Sequence, residues 1–422
     1  MEAEKPNWYD ALNGLPALLG SSVCETFELK RLLMLIRELL VSTRIVTTPV
    51  TEEIYLFLDG LRILLEGDAK GTAKDRDFKF WDSTHTLKEN YRARANFGFN
   101  GVERDVRAEE IMRFVELALK KVETGLRRAR GEDGLYYAYC MHEVTAYDTI
   151  KEAGRQVIRP TRFTQRKLPY FLEGQMHALR LSATPVEAQK LHAATRASGL
   201  YDAKLKMYKV TDDLSGQPKE IGRCTVFAPG WLENESVFLH MEYKYLLEML
   251  RKGLAKEFFA EMKNVLVPFQ DPERYGRSIL ENSSFIASSA FANSSLHGNG
   301  FVARLSGSTA EFLHLWLIMN CGTKPFFLNE ARELNLRLAP LLPGWLFSEK
   351  EKTYSFTFLG KITVTYHNPK RKDTFSGEVK VRAIRFLDQC GIEHIINGDT
   401  IPSPFASQIR SRQISSLSLS LA

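Results

Sequence analysis

The chain has 422 residues, 44% hydrophobic and 26% charged, with a formal net charge of +6. This is enough for two or three domains with ordinary cores, and the basic residues are too dispersed for a nucleic-acid footprint. The five cysteines, Cys24, Cys140, Cys224, Cys321 and Cys390, are odd in number and lack CxxC spacing. That argues against a disulfide framework and against a structural zinc site. The polar, acidic start is not a secretory signal, and no stretch reaches the roughly 20 apolar residues of a membrane helix. A cytoplasmic protein with no membrane partner is the expectation.

In chain order, residues 25–40 place Leu29, Leu32, Leu33, Ile36, Leu39 and Leu40 at helical spacing. Residues 52–65 repeat the pattern through Ile54, Leu58, Leu61 and Leu65, and 109–130 form a third long amphipathic run. The basic residues of that run, from Lys120 to Arg130, read as a solvated face. Cys140 and His142 form a C-x-H pair that reads either as reactive chemistry or as a buried neutral thiol. Helical patterns follow at 174–182, 185–198, 235–252, 254–267, 280–290 and 308–321. The character changes near Pro340. Alternating runs at 354–359, 361–366 and 378–386, separated by turn signals at Gly360 and His367-Asn368-Pro369, predict strands. The Ser/Leu alternation of 415–422 reads as an edge strand or a frayed end. The expected fold is mainly α, over residues 1–340, with a small C-terminal β-domain at 341–422.

Four segments concentrate chemistry. Trp8-Tyr9-Asp10 sets a carboxyl directly after two aromatics, which bind sugar faces and raise its pKa by desolvation. Asp10 reads as a general acid or as a helix cap. Pro229-Gly230-Trp231-Leu232-Glu233-Asn234-Glu235 joins a stacking aromatic to acids and an amide, and His240 follows two helical turns after Glu233. The run from Tyr275 to Ser284 carries Arg277, Glu281 and hydroxyls, or is simply a capped helix start. Gly300 to Thr309 carries Arg304 and a Ser306-Gly307-Ser308-Thr309 turn into a helix, which is a phosphate cradle or an N-cap. One acid plus an anion cradle is the division of labour of a phosphorylase. Phosphate is already a competent nucleophile, whereas a hydrolase needs a second carboxylate to activate water.

At these residues the chain resembles glycoside hydrolase family 94, the inverting β-glucoside phosphorylases. Asp10 stands two residues after Trp8. Pro229, Gly230, Glu233, Asn234 and His240 match the family's Pro-Gly-x-x-Glu-Asn segment and its histidine, and Ser306-Gly307 matches its Thr-Gly turn. The segments around Trp8 to Pro16, Leu205 to Lys209, Trp231 to Tyr245, Tyr275 to Ser284, Gly300 to Leu313 and Val364 to Pro369 are similar to the 1,2-β-oligoglucan phosphorylase branch. Leu232 replaces the lysine of cellobiose-type enzymes, and the position of their phosphate-contacting glutamine falls near Ala287 or Ser288.

The resemblance implies the C-terminal part of an (α/α)6 barrel, a partial barrel, followed by the β-domain as a small β-sandwich. It also implies phosphorolysis of β-1,2-linked oligoglucosides to α-glucose 1-phosphate. Asp10 would be the acid, and His240, Ser306, Gly307 and Arg304 would hold phosphate. Trp8, Trp231, Glu233, Asn234 and Glu281 would bind sugar. No metal or organic cofactor is implied, because phosphate is a co-substrate. The rivals are a hydrolase using Glu281 or Glu235 as base, and a non-catalytic carbohydrate-binding fragment. The implied partners are oligosaccharide and phosphate, with the missing N-terminal half or a second copy as protein partner. A closed barrel takes about twelve helices in six hairpins, more than this chain encodes.

Overall fold

A computed structural model describes residues 20–70, 76–303 and 307–422. Asp10, Trp8, Arg304 and Ser306 lie outside the described residues. The chain mixes helices with several small sheets. It forms two compact units. The first comprises the described residues through Leu181, with Ala194–Leu200 and Val210–Glu235; the second comprises Ser182–Ala193, Tyr201–Lys209 and Ser236–Ala422.

In the first unit, β1 (Gly20–Ser22) runs straight into α1 (Val23–Thr43), and the Ser22 hydroxyl accepts the Glu25 N–H as an N-cap. β2 (Thr47–Thr51) leads into α2 (Glu52–Lys70), which packs on α3 (Arg76–Ala95). β3 (Glu103–Arg107) pairs antiparallel with β2 and enters α4 (Ala108–Ala129). Helix α4 buries Val115, Leu119, Val122, Leu126 and Ala129, alternating steps of four and three along one stripe, and lays that stripe against α1. Then comes a long hairpin, β4 (Tyr139–Glu152) and β5 (Arg155–Lys167). Its two-residue turn sets Ala153 at φ 47° and Gly154 at φ 79°, the doubly positive geometry that matches strand twist. Helix α5 (Leu172–Leu181) packs back on α1. A cavity of about 590 Å³ opens between these helices and the hairpin, lined by Leu29, Leu33, Phe57, Leu61, Trp81 and Val122 among others.

Helix α6 (Pro185–Ala197) follows, then the short pair β6 (Tyr201–Asp202) and β7 (Met207–Tyr208). In the second unit, β8 (Val237–Phe238) turns directly into α7 (Leu239–Arg251). Helix α7 is buried on nearly every face, as expected for a core helix. After α8 (Ala255–Val265) and the single turn α9 (Pro272–Tyr275) come β9 (Ser283–Ile286) and β10 (Gly300–Ala303). These build a three-stranded sheet ordered β10-β9-β8. Helix α10 (Gly307–Cys321) packs on α7. The rest is β-rich: β11 (Phe326–Leu328), β12 (Leu334–Arg337), β13 (Thr353–Phe358), β14 (Ile362–His367), β15 (Val381–Leu387), β16 (Glu393–Asn397) and β17 (Thr400–Ile401). Helix α11 (Phe405–Arg410) and β18 (Ser416–Leu421) complete it.

Three expectations change. Residues 280–290 are not helical. They hold β9, whose four residues are all buried, so no polar/apolar alternation marks it as a strand. Its serines also favour local bonds over a helix, and the Ser283 hydroxyl lies 2.8 Å from the Tyr275 hydroxyl. The part before residue 340 is not helical throughout, since the β4–β5 hairpin alone spans nearly thirty residues. The Ser/Leu tail is neither an edge nor a fray. β18 lies in the middle of the sheet ordered β13-β14-β18-β15-β16, parallel to β14 and antiparallel to β15. Leu417, Leu419 and Leu421 face the core, and Ser418 on the other face meets Nε2 of His367 at 2.9 Å.

Leu419 is fully buried in that central strand, whereas Ile395 on the edge strand β16 is 52% exposed. Leu419→Ala should therefore cost about 2–5 kcal/mol of unfolding free energy. Ile395→Ala should stay within about 0.5 kcal/mol. Chemical denaturation of both variants checks the strand order, and equal losses would contradict it.

Candidate functional site

The described part of the predicted phosphate cradle is built on the facing ends of α7 and α10. Its foundation is an aromatic ladder. Phe301, Phe285 and Phe238 are direct cross-strand neighbours on β10, β9 and β8. Their rings stack at 5.9 and 4.8 Å between centroids. The ladder fixes the end of β8, and His240, two residues on, stands edge-on to Phe238 at 6.1 Å. The imidazole lies against the backbone of Gly307, the first residue of α10. A side chain at 307 would overlap the ring, so only glycine permits this approach.

One turn along α10, Glu311 Oε1 lies 3.6 Å from His240 Nε2. Burial pushes the Glu311 carboxyl up, but His240, Lys244 and His314 outweigh it and hold it below the ordinary carboxylate range. Glu311 therefore stays ionised and orients the imidazole. Thr309, in the same first turn of α10, accepts a 3.4 Å bond from the Asn282 amide. Glu281 is engaged by Arg277 at 2.8 Å, and Arg277 also donates to the Gly300 carbonyl.

Trp231, Glu233 and Asn234 belong to the first unit, in a tight turn. Gly230, Leu232 and Glu235 all have positive φ there, at 78°, 50° and 57°. Two non-glycine residues in that region within four positions mark a turn that its surroundings over-determine. Asn234 supplies the clamp. Fully buried, it accepts the Leu214 N–H at 3.0 Å and donates to the Phe227 carbonyl at 2.9 Å and to Ser215 Oγ at 3.3 Å. Its side chain thus holds the loop that presents Trp231 and Glu233. Glu233 is only partly covered, and Cys224 beside it has its thiol pushed up to about 12, by burial first and by the Glu233 charge second.

Two buried clusters escaped the sequence reading. In the first unit, Cys24, Glu173 and His177 converge. In the second, the fully buried Glu242 accepts the Tyr208 N–H at 2.7 Å, with Glu261 and Asp202 nearby. Acids scattered over about sixty residues on two helices and a hairpin give no spacing signal. Cys140, the other thiol singled out by sequence, is buried on β4, and burial raises its pKa.

Burial raises Glu242 well above the carboxylate range. The Tyr208 N–H opposes this without offsetting it, and the charges of Glu261 and Asp202 add smaller upward pushes. The folded chain then keeps a proton that the unfolded chain releases near pH 4.3. Stability should fall as pH rises from that value toward the folded pKa, by up to about 1.4 kcal/mol per unit. Glu242→Gln should flatten this slope between pH 5 and 8. Urea midpoints across that range test it, and an unchanged slope would contradict it.

No family model and no curated protein sequence matches the chain. No helix among the described residues is long and apolar enough to cross a membrane.

Proposed function

We propose that the chain is the C-terminal part of an (α/α)6-barrel phosphorylase with a β-domain from about residue 341, acting in the cytoplasm on β-1,2-linked oligoglucosides. Phosphorolysis gives α-glucose 1-phosphate and a shortened glucan. Asp10 protonates the departing glycosidic oxygen. Phosphate, held by His240, Arg304, Ser306 and the Gly307 backbone, attacks the anomeric carbon from the opposite face and inverts it. Trp8 and Trp231 act as sugar platforms, while Glu233, Asn234 and Glu281 bind or position hydroxyl contacts. The reaction itself requires no metal or organic cofactor.

The observation that supports this reading is the apposition of His240 and Gly307. They come from motifs more than sixty residues apart, yet the imidazole rests on the glycine at the opening turn of α10. The N–H groups at the start of a helix and a neighbouring histidine form a suitable anion cradle. The pairing of Glu281 with Arg277 disfavours Glu281 as the base of the hydrolase rival, which leaves Glu235 as its candidate, because a general base needs a carboxylate free to take a proton from water.

Incubation with β-1,2-glucooligosaccharides should release glucose 1-phosphate only when inorganic phosphate is present. Asp10→Asn should lower kcat about 10²- to 10⁴-fold. Gly307→Ala should abolish the phosphate-dependent release of glucose 1-phosphate, because its side chain overlaps His240. Sugar release without phosphate would establish the hydrolase instead.

A second reading, that the chain functions only when paired with further protein, rests on one observation. Leu32, Leu35 and Leu39 on α1 are each about half exposed, although they sit at helical spacing beside the buried Leu33. Such faces should drive self-association. Light scattering should give a mass above the 48.1 kDa of one chain; a stable monodisperse monomer would count against this reading.

A further inference from the structure

We propose that Cys24, Glu173 and His177 form a binding site for a zinc-class divalent cation, with Glu28 as the carboxylate that orients the histidine. This site is separate from the phosphate cradle and independent of the proposed reaction.

Two helical turns face each other. Cys24 and Glu28 lie four residues apart on α1, and Glu173 and His177 lie four apart on α5, so each pair occupies one face of its helix. The Cys24 sulfur, a Glu173 carboxylate oxygen and a His177 ring nitrogen all lie within 4.8 Å of one another. All three residues are buried, Glu173 completely. A tetrahedral zinc ion with bonds of about 2.0–2.3 Å sets its ligand atoms about 3.3–3.6 Å apart. Glu173 Oε1 and His177 Nε2 are 3.8 Å apart, so they need to close by only a few tenths of an ångström.

The surrounding bonds leave the correct atoms free. His177 Nδ1 lies 2.9 Å from Glu28 Oε1, so Nδ1–H donates to that carboxylate and Nε2 points inward, where a metal ion takes the place of a proton. Glu28 is itself held by Arg180 at 2.8 Å. Tyr139 donates to Glu173 Oε2 at 2.6 Å and leaves Oε1 over. Both Glu173 Oε1 and His177 Nε2 are buried without a hydrogen-bond partner. Their 3.8 Å separation is too wide for a bond between them. Two buried polar atoms without a partner, facing one thiol, are costly, and a shared cation satisfies both. Thiolate, imidazole and carboxylate together suit zinc or cobalt rather than magnesium or calcium. Binding forms the S–metal bond as the Cys24 S–H proton leaves to solvent, and a water completes the fourth position.

The sequence offered no hint, because the cysteine and the histidine are separated by about 150 residues. Spacing rules detect zinc sites whose ligands cluster along the chain.

The test uses the whole chain, stripped by chelator and titrated with Co(II). One equivalent should bind and produce the thiolate-to-cobalt charge-transfer absorption of a sulfur ligand, and Zn(II) should displace it. Cys24→Ser and His177→Gln should lose that absorption, while Cys390→Ser, at the exposed thiol, should retain it. Glu28→Gln should weaken binding about 10- to 100-fold without removing the band, as expected for a positioning residue. Circular dichroism verifies that each variant is folded. Absence of cobalt absorption in the folded wild-type chain overturns the proposal. So does a band that survives Cys24→Ser or disappears with Cys390→Ser.

Discussion

The second unit is organised around a single close approach, the imidazole of His240 resting on the bare backbone of Gly307. The contact is possible only because position 307 has no side chain and because His240 is carried at the very start of α7. Everything nearby serves that geometry. The Phe301–Phe285–Phe238 ladder anchors the strand from which α7 springs, and burial of α7 on nearly every face keeps the helix from rotating. Glu311, its carboxyl held below the ordinary range by His240 and Lys244, holds the ring from one turn along α10. The result is a histidine with a fixed direction beside the opening turn of a helix, and fixed donors favour anion recognition because no reorganisation is needed on binding.

The first unit follows a different logic, in which buried polar groups set how helices register. Helices α1 and α5 meet through Glu28, Glu173, His177, Arg180 and Cys24 rather than through apolar packing alone. Burial pulls the His177 imidazole down, yet the carboxylates of Glu173 and Glu28 more than offset it and raise its pKa. The bond from His177 leads the group of contacts that hold Glu28 well below the ordinary carboxylate range. Such networks are sensitive to the loss of any member, because the remaining charges are left without compensation. The Asn234 clamp is the neutral counterpart, closing the turn that carries Trp231 and Glu233 by hydrogen bonds alone.

Helices with a single apolar stripe were legible in the sequence, since the spacing of Val115, Leu119, Val122 and Leu126 is the burial pattern itself. What escaped was structure whose signal is not periodic. β9 is buried on both faces and shows no alternation. β18 alternates faithfully, but a central and an edge strand that are each half-buried alternate identically, so its place in the sheet was not encoded locally. The β4–β5 hairpin carried a detectable mark, Ala153-Gly154 between runs of Val, Thr and Ile, which lay outside the helical pattern being followed. For the candidate site, the motif around Pro229 and the Ser306-Gly307 turn were visible as clusters of unusual residues. The partners that orient His240, namely Phe285 and Phe301 through Phe238, and Glu311, look like ordinary core or surface residues until folding brings them together. The Cys24 cluster and the Glu242 group are assembled wholly by tertiary structure.

The central claim is that His240 and the opening turn of α10 bind phosphate. The most direct measurement is the side-chain NMR spectrum of the histidines during titration with inorganic phosphate, with His240 assigned by comparison with His240→Asn. The account predicts a saturable shift of the His240 resonance that is absent in Gly307→Ala, with His142, His192 and His394 unmoved. A His240 resonance that ignores phosphate, or shifts equally among all the histidines, would contradict it.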